Sequence, residues 1–510
     1  MERAESPSTL RRVFYGGRRG QYGLGLMFKT ITSKIERDQD YPERQFTIDV
    51  LTRVLEGKLY DHLEHDFQTE MTSSGEYIPL RNRRPSVRYA LCKTVVDDSV
   101  SLLFSEGHFP SIDCEDENTR DSLSDLIKES KLNEVMIEAA LRGSVGSVAI
   151  FMRVINGRMF FEVKGTQFLT PVWRDDAPDT LESITEQYKV KGSALRQAGY
   201  PISNDDLVAE FWFQRTWDDT NETWFTPWKV RDENAGPVVD KAKTKKHSLG
   251  FVPVEWVKNL PGGNGIDGAC TFLDAINTSI EIDYQLSQAG RGLKYSSEPT
   301  LVLKEPSVED GKIVRGAGNA LVVSAEGDAK LLEISGDAAA AVVEYVRALR
   351  ELALESIHGN RANADKVSAA QSGRAMELMN QALIWLADKL RISYGEGALL
   401  SLLRKIVAVS DKYELKIYGK AIEPLNADVK VSLRWPAWYA PTYADKQTEA
   451  ETLTTLRTGE LLSRETAIKA LSNSYDIEDP QDELKSIKAD PPAPTAQTPK
   501  LQKPNSDAND

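Results

Sequence analysis

Between residue 41 and about residue 153, apolar side chains recur at three- and four-residue spacing, the period of a helix with one buried face. Ile48, Leu51, Val54 and Leu55 make one stripe, and Val95, Val96, Ser99, Leu102 and Leu103 make another. Each predicts an amphipathic helix. A third helix is predicted from Asn118, whose side chain suits an N-cap, through Leu123, Leu126, Ile127, Leu132, Val135 and Met136 to Leu141, with Arg142-Gly143 as its stop. The period then shortens to two. Residues 147–154, residues 158–163 beyond the Asn156-Gly157 turn, residues 207–217 and residues 223–230 predict strands, rich in aromatic and β-branched side chains.

Helical spacing returns after Pro261-Gly262-Gly263-Asn264-Gly265, where Ile266, Ala269, Leu273, Ile276, Ile280 and Tyr284 share a stripe that Gly290 and Gly292 should end. Residues 299–303, 312–314, 320–323 and 330–334 read as short strands, the last two joined across Glu326-Gly327-Asp328. A second helix starts at Asp337, carries Val342, Val346, Leu349, Ala353 and Ile357, and closes at Gly359. At 1.5 Å per residue it is roughly 30 Å long, like the helix before the β insert, so the two form a matched pair. A polar, small-residue stretch, 360–372, leads into a long helix on which Met376, Met379, Leu383, Leu386 and Leu390 alternate by three and four. Residues 444–456 form a further helix stopped at Gly459, Ser463 caps the next, and a short one begins near Asp479. The proline-rich last 20 residues have the composition of a disordered tail. The first 40, with Arg11, Arg12, Arg18 and Arg19 among glycines, read as a flexible arm. The fold class is α+β, predominantly helical.

At 510 residues, the chain exceeds what one hydrophobic core supports, so several modules are expected. Its 41% hydrophobic and 27% charged residues are ordinary for a soluble folded protein, and no run of about 18 apolar residues suggests a membrane span. The basic start lacks the apolar run of a signal peptide, which places the chain in a cytoplasm. Cys92, Cys114 and Cys270 match neither a disulfide framework nor a zinc spacing and read as small buried side chains. The net charge of −14 argues against tight DNA binding, which needs clustered Lys and Arg. Any DNA this chain meets should be free to slide.

No catalytic constellation emerges. His62-Leu63-Glu64-His65 has the wrong spacing for a zinc helix, and the Asp pairs starting at Asp97, Asp175, Asp205 and Asp218 have no partner at fixed spacing, so both read as solvated surface. The glycine turn at 262–265 lacks the Lys-Ser or Lys-Thr of a phosphate loop, and Asp267 beside it would repel phosphate. Trp212, Trp217, Trp224 and Trp228 lie on predicted strands and read as sheet core rather than a base-stacking platform. Neither a cofactor nor a metal is expected. A nuclease or nucleotidyltransferase would need two-metal or nucleophile constellations, and the sequence offers none.

The order of elements resembles the portal proteins of tailed phages over roughly residues 41–490. Local strings carry it: Val252-Pro253-Val254 leading through Gly263-Asn264-Gly265, Glu298-Pro299-Thr300-Leu301-Val302, Ser372-Gly373-Arg374-Ala375, and the run from Gly459-Glu460-Leu461-Leu462 to Ala467. The arm before Tyr41 departs from the pattern and matches no motif. The resemblance implies a ring of about twelve subunits at one capsid vertex, through which double-stranded DNA is packaged and ejected. It implies a wing (41–262, completed by the long helix and following residues 373–440), a first stem helix (263–292), a clip (293–336), a second stem helix (337–358), a tunnel-loop region (359–372) and a crown (441–489). Ile266, Ile276, Ile280, Val346 and Leu349 would build the stem. Lys304, Lys312 and Arg315 would dock terminase and later the head-completion or tail adaptor proteins. Asn360, Arg361, Asn363 and Lys366 would touch DNA in the tunnel. Wing and stem would meet major capsid and scaffold proteins, with the host cytoplasm as assembly site and the virion as destination. The rival reading is another oligomeric virion adaptor or scaffold.

Overall fold

The computed structural model describes residues 26–232, 234–297, 300–306, 323–332, 337–359, 373–439, 442–472, 477 and 480–489. These form two compact units, one from residues up to 362 with 380–435, the other from 363–379 with residues 436 onward.

In the first unit, the expected flexible arm already contains a helix, α1 (Leu26–Thr32), which buries Phe28 and Ile31. After it, Asp38 and Asp40 both meet Lys189, and the Tyr41 hydroxyl accepts from the Lys189 backbone N–H at 2.7 Å. Two apolar side chains and three polar anchors thus fix residues that composition alone marked as loose. Then come α2 (Glu43–Leu55) and α3 (Leu91–Phe104), on the predicted stripes.

The predicted third helix is two. Asp116, not Asn118, caps α4 (Glu117–Glu129) by accepting from the Thr119 N–H, a cap worth about 1 kcal/mol. The Ser130 hydroxyl then bonds back to the Leu126 carbonyl, Lys131 turns left-handed at φ 52°, and α5 (Leu132–Gly143) restarts. Local side-chain hydrogen bonds outcompeted a continuous stripe.

Strands β1 (Ser147–Ile155) and β2 (Arg158–Gly165) form the hairpin expected at Asn156-Gly157, both turn residues having positive φ, and β1 also pairs with a later strand, Val254–Lys258. A second antiparallel sheet runs β3 (Leu169–Trp173), β4 (Leu181–Lys191), β5 (Glu210–Trp217), β6 (Asn221–Thr226), with two-residue pieces at its far end; α6 (Gly192–Gln197) leaves β4. The periodicity reading missed β3 and β4. β4 mixes polar and apolar residues on both faces because part of it packs around the Glu186–Arg215 pair. β7 (Val254–Lys258) returns to the first sheet, and the two sheets share a core of Ala149, Phe151, Leu169, Ile184, Trp217, Val252, Val254 and Trp256. Of the four tryptophans only Trp217 is buried in the sheet core; Trp212, Trp224 and Trp228 are half-buried. Trp217 meets Phe151 at 4.7 Å, Trp224 meets Phe213, and Trp212 meets Tyr41.

Helix α7 (Ile276–Ser297) starts ten residues later than its apolar stripe suggested and runs through Gly290 and Gly292. Both glycines keep negative φ, so neither acts as a cap, and each costs about 1 kcal/mol of helix propensity without ending the ladder. β8 (Thr300–Pro306) pairs antiparallel with β9 (Val323–Leu332), Thr300 opposite Leu332 and Lys304 opposite Asp328. β9 is one strand rather than two, but its register jumps at the expected turn: Lys304 opposes Asp328 and Pro306 opposes Val323, so β9 carries three extra residues between them. The strand expected at 312–314 and most of that at 320–323 lie outside the described residues. α8 (Asp337–Ser356) packs along α7, and the two are 20 and 22 residues long. The left-handed residue closing α8 is His358 (φ 55°), one before the expected Gly359.

The expected long helix breaks at Asn380 into α9 (Gly373–Met379), which belongs to the second unit, and α10 (Gln381–Leu390). The 376–390 seam is therefore divided. Leu383, Leu386 and Leu390 are buried in the first unit. A nine-residue π-helix, Arg391–Leu399, joins α10 to α11 (Leu400–Ser410).

The second unit adds α12 (Tyr443–Thr458), α13 (Arg464–Leu471) and α14 (Pro480–Ala489). Thr442 and Asp445 form a reciprocal capping box on α12, and Ser463 caps α13 through the Thr466 N–H, as its position predicted. Gly459 ends α12 with ordinary φ, and Glu460 takes the left-handed turn instead.

Candidate functional site

The feature that sets this chain apart from a plain α+β body is a pair of helices, α7 and α8, separated by the β8–β9 hairpin and rooted in the sheets. Its footing is polar. Asn259 follows β7 directly and is fully buried; its amide nitrogen donates to the Ala269 carbonyl at 2.8 Å and the Thr271 hydroxyl at 2.9 Å. Its amide oxygen accepts from the Tyr394 hydroxyl at 3.1 Å. Tyr394 reaches that oxygen from the π-helix, whose extra residue per turn re-aims one side chain into the core. Gly143 at the end of α5 makes the room, since a Cβ there would stand 2.1 Å from the Tyr394 hydroxyl oxygen.

The segment from Pro261 to Asp274 stays out of the helix for a local reason. The Asn264 side-chain oxygen accepts from the N–H groups of Ile266 and Asp267, at 2.8 and 2.6 Å, which closes a turn. Asp267 is then held by a two-pronged ion pair from Arg44, 2.7 Å on each side, and by the Ser147 hydroxyl at 2.5 Å. Arg44 spends its remaining nitrogen on the carbonyls of Thr166 and Leu169, so α2, both sheets and the root of α7 meet at one guanidinium. The acidic side chain that argued against phosphate here has a structural partner instead.

Along α7 a second polar group is sunk among Ile282 and Tyr284. The Asp283 carboxylate accepts from the Tyr60 hydroxyl at 2.8 Å and from the Tyr89 N–H at 2.7 Å. Burial pushes its carboxyl up to about 6, against the opposing pull of those two hydrogen bonds. The same burial raises the Tyr60 phenol, with Asp283 adding to it. One turn on, the Ser287 hydroxyl accepts from the Val87 N–H, and the Tyr284 hydroxyl donates to the Arg83 carbonyl. Arg83 is itself buried and donates twice to the Ile78 carbonyl. Residues 67–89 are thereby strapped along α7.

Of the stem residues predicted from sequence, Ile276 and Ile280 are buried on α7, and Val346 and Leu349 are half-buried on α8. Ile266 is not on the helix. It packs against the sheet core, and its carbonyl accepts from the Trp256 indole N–H. Lys304 sits on β8 in register with Asp328. Lys312, Arg315, Asn360, Arg361, Asn363 and Lys366 lie outside the described residues. Sequence reading missed Arg44, Asn259, Asp267, Asp283 and Tyr394 as the rooting groups. Its one available signal was an aspartate inside an apolar helical stripe, at Asp283.

The other candidates have ordinary roles. The Asp218 side chain accepts from the N–H groups of Thr220 and Asn221 in a turn, Asp206 pairs with Lys229, and His62 bonds the Ile31 carbonyl. Among the described residues no three His, Cys, Asp or Glu side chains converge as metal ligands, and no helix is long and apolar enough to cross a membrane.

Two solved structures are similar to this chain at 10% identity: the virion of a native gene transfer agent particle, and the neck of an empty gene transfer agent particle computed with C6 symmetry. Each covers 75% of this chain and 89% of that chain, with a TM-score of 0.35. No curated protein matches. A family model for phage portal proteins of the SPP1 Gp6-like type matches residues 37–491, which takes in both sheets, the helix pair, the β8–β9 hairpin and the C-terminal helices. The chain belongs to that family of phage portal proteins.

Proposed function

We propose that this chain is the portal subunit of a tailed-phage virion: a ring of about a dozen copies at one capsid vertex, assembled in the host cytoplasm, through which double-stranded DNA is packaged and ejected. The observation that carries the reading is the family match across residues 37–491. On this reading α7 and α8 are the stem, β8–β9 belongs to the clip that docks terminase and then head-completion or tail adaptor proteins, and the body meets capsid and scaffold. The polar footing supports it physically, because a helix pair that bears load from a moving duplex needs its root tied to a rigid core, and Arg44, Asn259 and Asp283 tie it at three points. The net charge of −14 fits a channel that does not grip a polyanion, since few phosphate contacts release few counterions. Asn360, Arg361, Asn363 and Lys366 make the few transient phosphate contacts. The role is structural rather than enzymatic.

The test is packaging in a reconstituted system. Heads assembled with this chain should carry it at one vertex and fill with DNA when terminase and ATP are added, and heads assembled without it should stay empty. Equal filling of both would contradict the proposal.

A further inference from the structure

Helix α8 carries two apolar stripes. Val342, Val346, Leu349 and Ala353 make the first, half-buried to buried on the side that packs with α7 and the turn at Leu273–Ala275. The second, Ala341, Tyr345, Ala348 and Leu352, has the same four-three-four spacing, yet it faces outward, with Tyr345 48% and Leu352 62% exposed. Exposed Glu344 and Glu351 lie beside it, Glu344 paired with Arg347 at 3.5 Å and Glu351 in no ion pair among the described residues. A helix on the surface of a complete globular body needs one apolar stripe, and a repeat of the period on a solvent face marks a contact not yet made.

The strap over α7 has the complementary character. It is fixed from beneath, by Glu70 to Arg291, Val87 to Ser287 and Tyr89 to Asp283. On its outside it exposes Met71 (61%), Tyr77 (65%), Val87 and Tyr89, and beside them the exposed arginines Arg81 and Arg88. Arg88 is engaged within its own chain, bonded to Asp61 at 3.1 Å and to the Gly57 carbonyl at 2.6 Å, while Arg81 stands near Lys34 without an ion pair among the described residues. Two surfaces of one chain, both built on elements that lean on α7, are therefore apolar, and each holds one exposed charge outside any ion pair among the described residues, Glu351 on α8 and Arg81 on the strap.

We infer that the outer stripe of α8 in one copy docks on the strap at 71–89 of a second copy, apolar side chains centrally and Glu351 toward Arg81. The two surfaces differ, so the contact is heterologous, the kind that repeats head to tail and closes into a ring rather than stopping at a dimer. This rests on the ring reading above and names the surfaces that build it.

The experiment is mass photometry of the full chain, as wild type and as two variants: a stripe variant (Ala348→Glu with Leu352→Glu) and a strap variant (Met71→Glu with Tyr77→Glu). Circular dichroism matching wild type qualifies each, and Met71→Glu alone replaces the strap double if that one does not fold. Each variant should be a single chain by itself. Mixed in equal amounts they should form pairs and nothing larger, because each brings the one surface that the other lacks. Rings in the wild type and also in either variant would overturn this inference alone, as would folded variants that stay single when mixed. Single chains in the wild type would sink the ring reading and this inference with it.

Discussion

The Tyr394 hydroxyl and the Asn259 side-chain oxygen meet at 3.1 Å across 135 residues of sequence, and both are fully buried. The contact ties a π-helix to the loop from which α7 springs. Tyr394→Phe keeps the ring and leaves that oxygen without its donor, so we expect a loss of about 1–2 kcal/mol in stability, read as a lower urea midpoint with unchanged slope. A midpoint equal to wild type would show that the contact adds nothing.

Arg44 and Asp267 form the other tie, and removing one partner should cost more than removing a neutral hydrogen bond. Arg44→Met leaves a buried carboxylate facing only hydroxyl and amide donors, and we expect a loss of about 3 kcal/mol. Arg44→Met combined with Asp267→Asn should recover much of it. A double variant as unstable as the single would place the damage in packing against Trp256, over whose ring Arg44 also lies.

Asp283 predicts a pH dependence with a definite sign. Its folded-state carboxyl is raised to about 6 from 3.8, so between those values the folded chain binds more protons than the unfolded one. Stability from this group is present at low pH and is lost as pH rises through 6, by up to about 3 kcal/mol. Asp283→Asn cannot titrate. The difference in unfolding free energy, wild type minus variant, should therefore fall between pH 4 and pH 6.5, and a flat difference would contradict the assignment.

Thiol chemistry gives a simpler check. Cys92 is buried and its thiol is pushed up to about 12 by burial; Cys270 is half-buried as a residue, and burial of its thiol raises it as well. Both should resist iodoacetamide at pH 8 in the native protein and react within minutes once it is unfolded in urea. Rapid labelling of the folded chain would mean that the packing around α3 or the α7 root opens readily.

Much of the fold was legible because single-faced burial writes its period into the sequence. α2, α3, the Asn156-Gly157 hairpin, α8 and the Ser463 cap follow from local rules. Two of the misses share a cause, local side-chain hydrogen bonds that overrode a stripe, and a third is a backbone break. Asn264 and Asp267 delayed α7, Ser130 and Lys131 cut the predicted third helix in two, and the backbone at Asn380 divided the seam at 376–390. The rooting groups were not legible, since Arg44 and Asp267 lie 223 residues apart and nothing in either neighbourhood announces the other. β4 was invisible for a related reason, its polar residues being buried as pairs with side chains from other strands.

The most direct test of the central claim is negative-stain electron microscopy with mass measurement on the purified full chain. The account predicts rings of about a dozen copies around a central hole. A compact single chain or pair that persists at high protein concentration would contradict it.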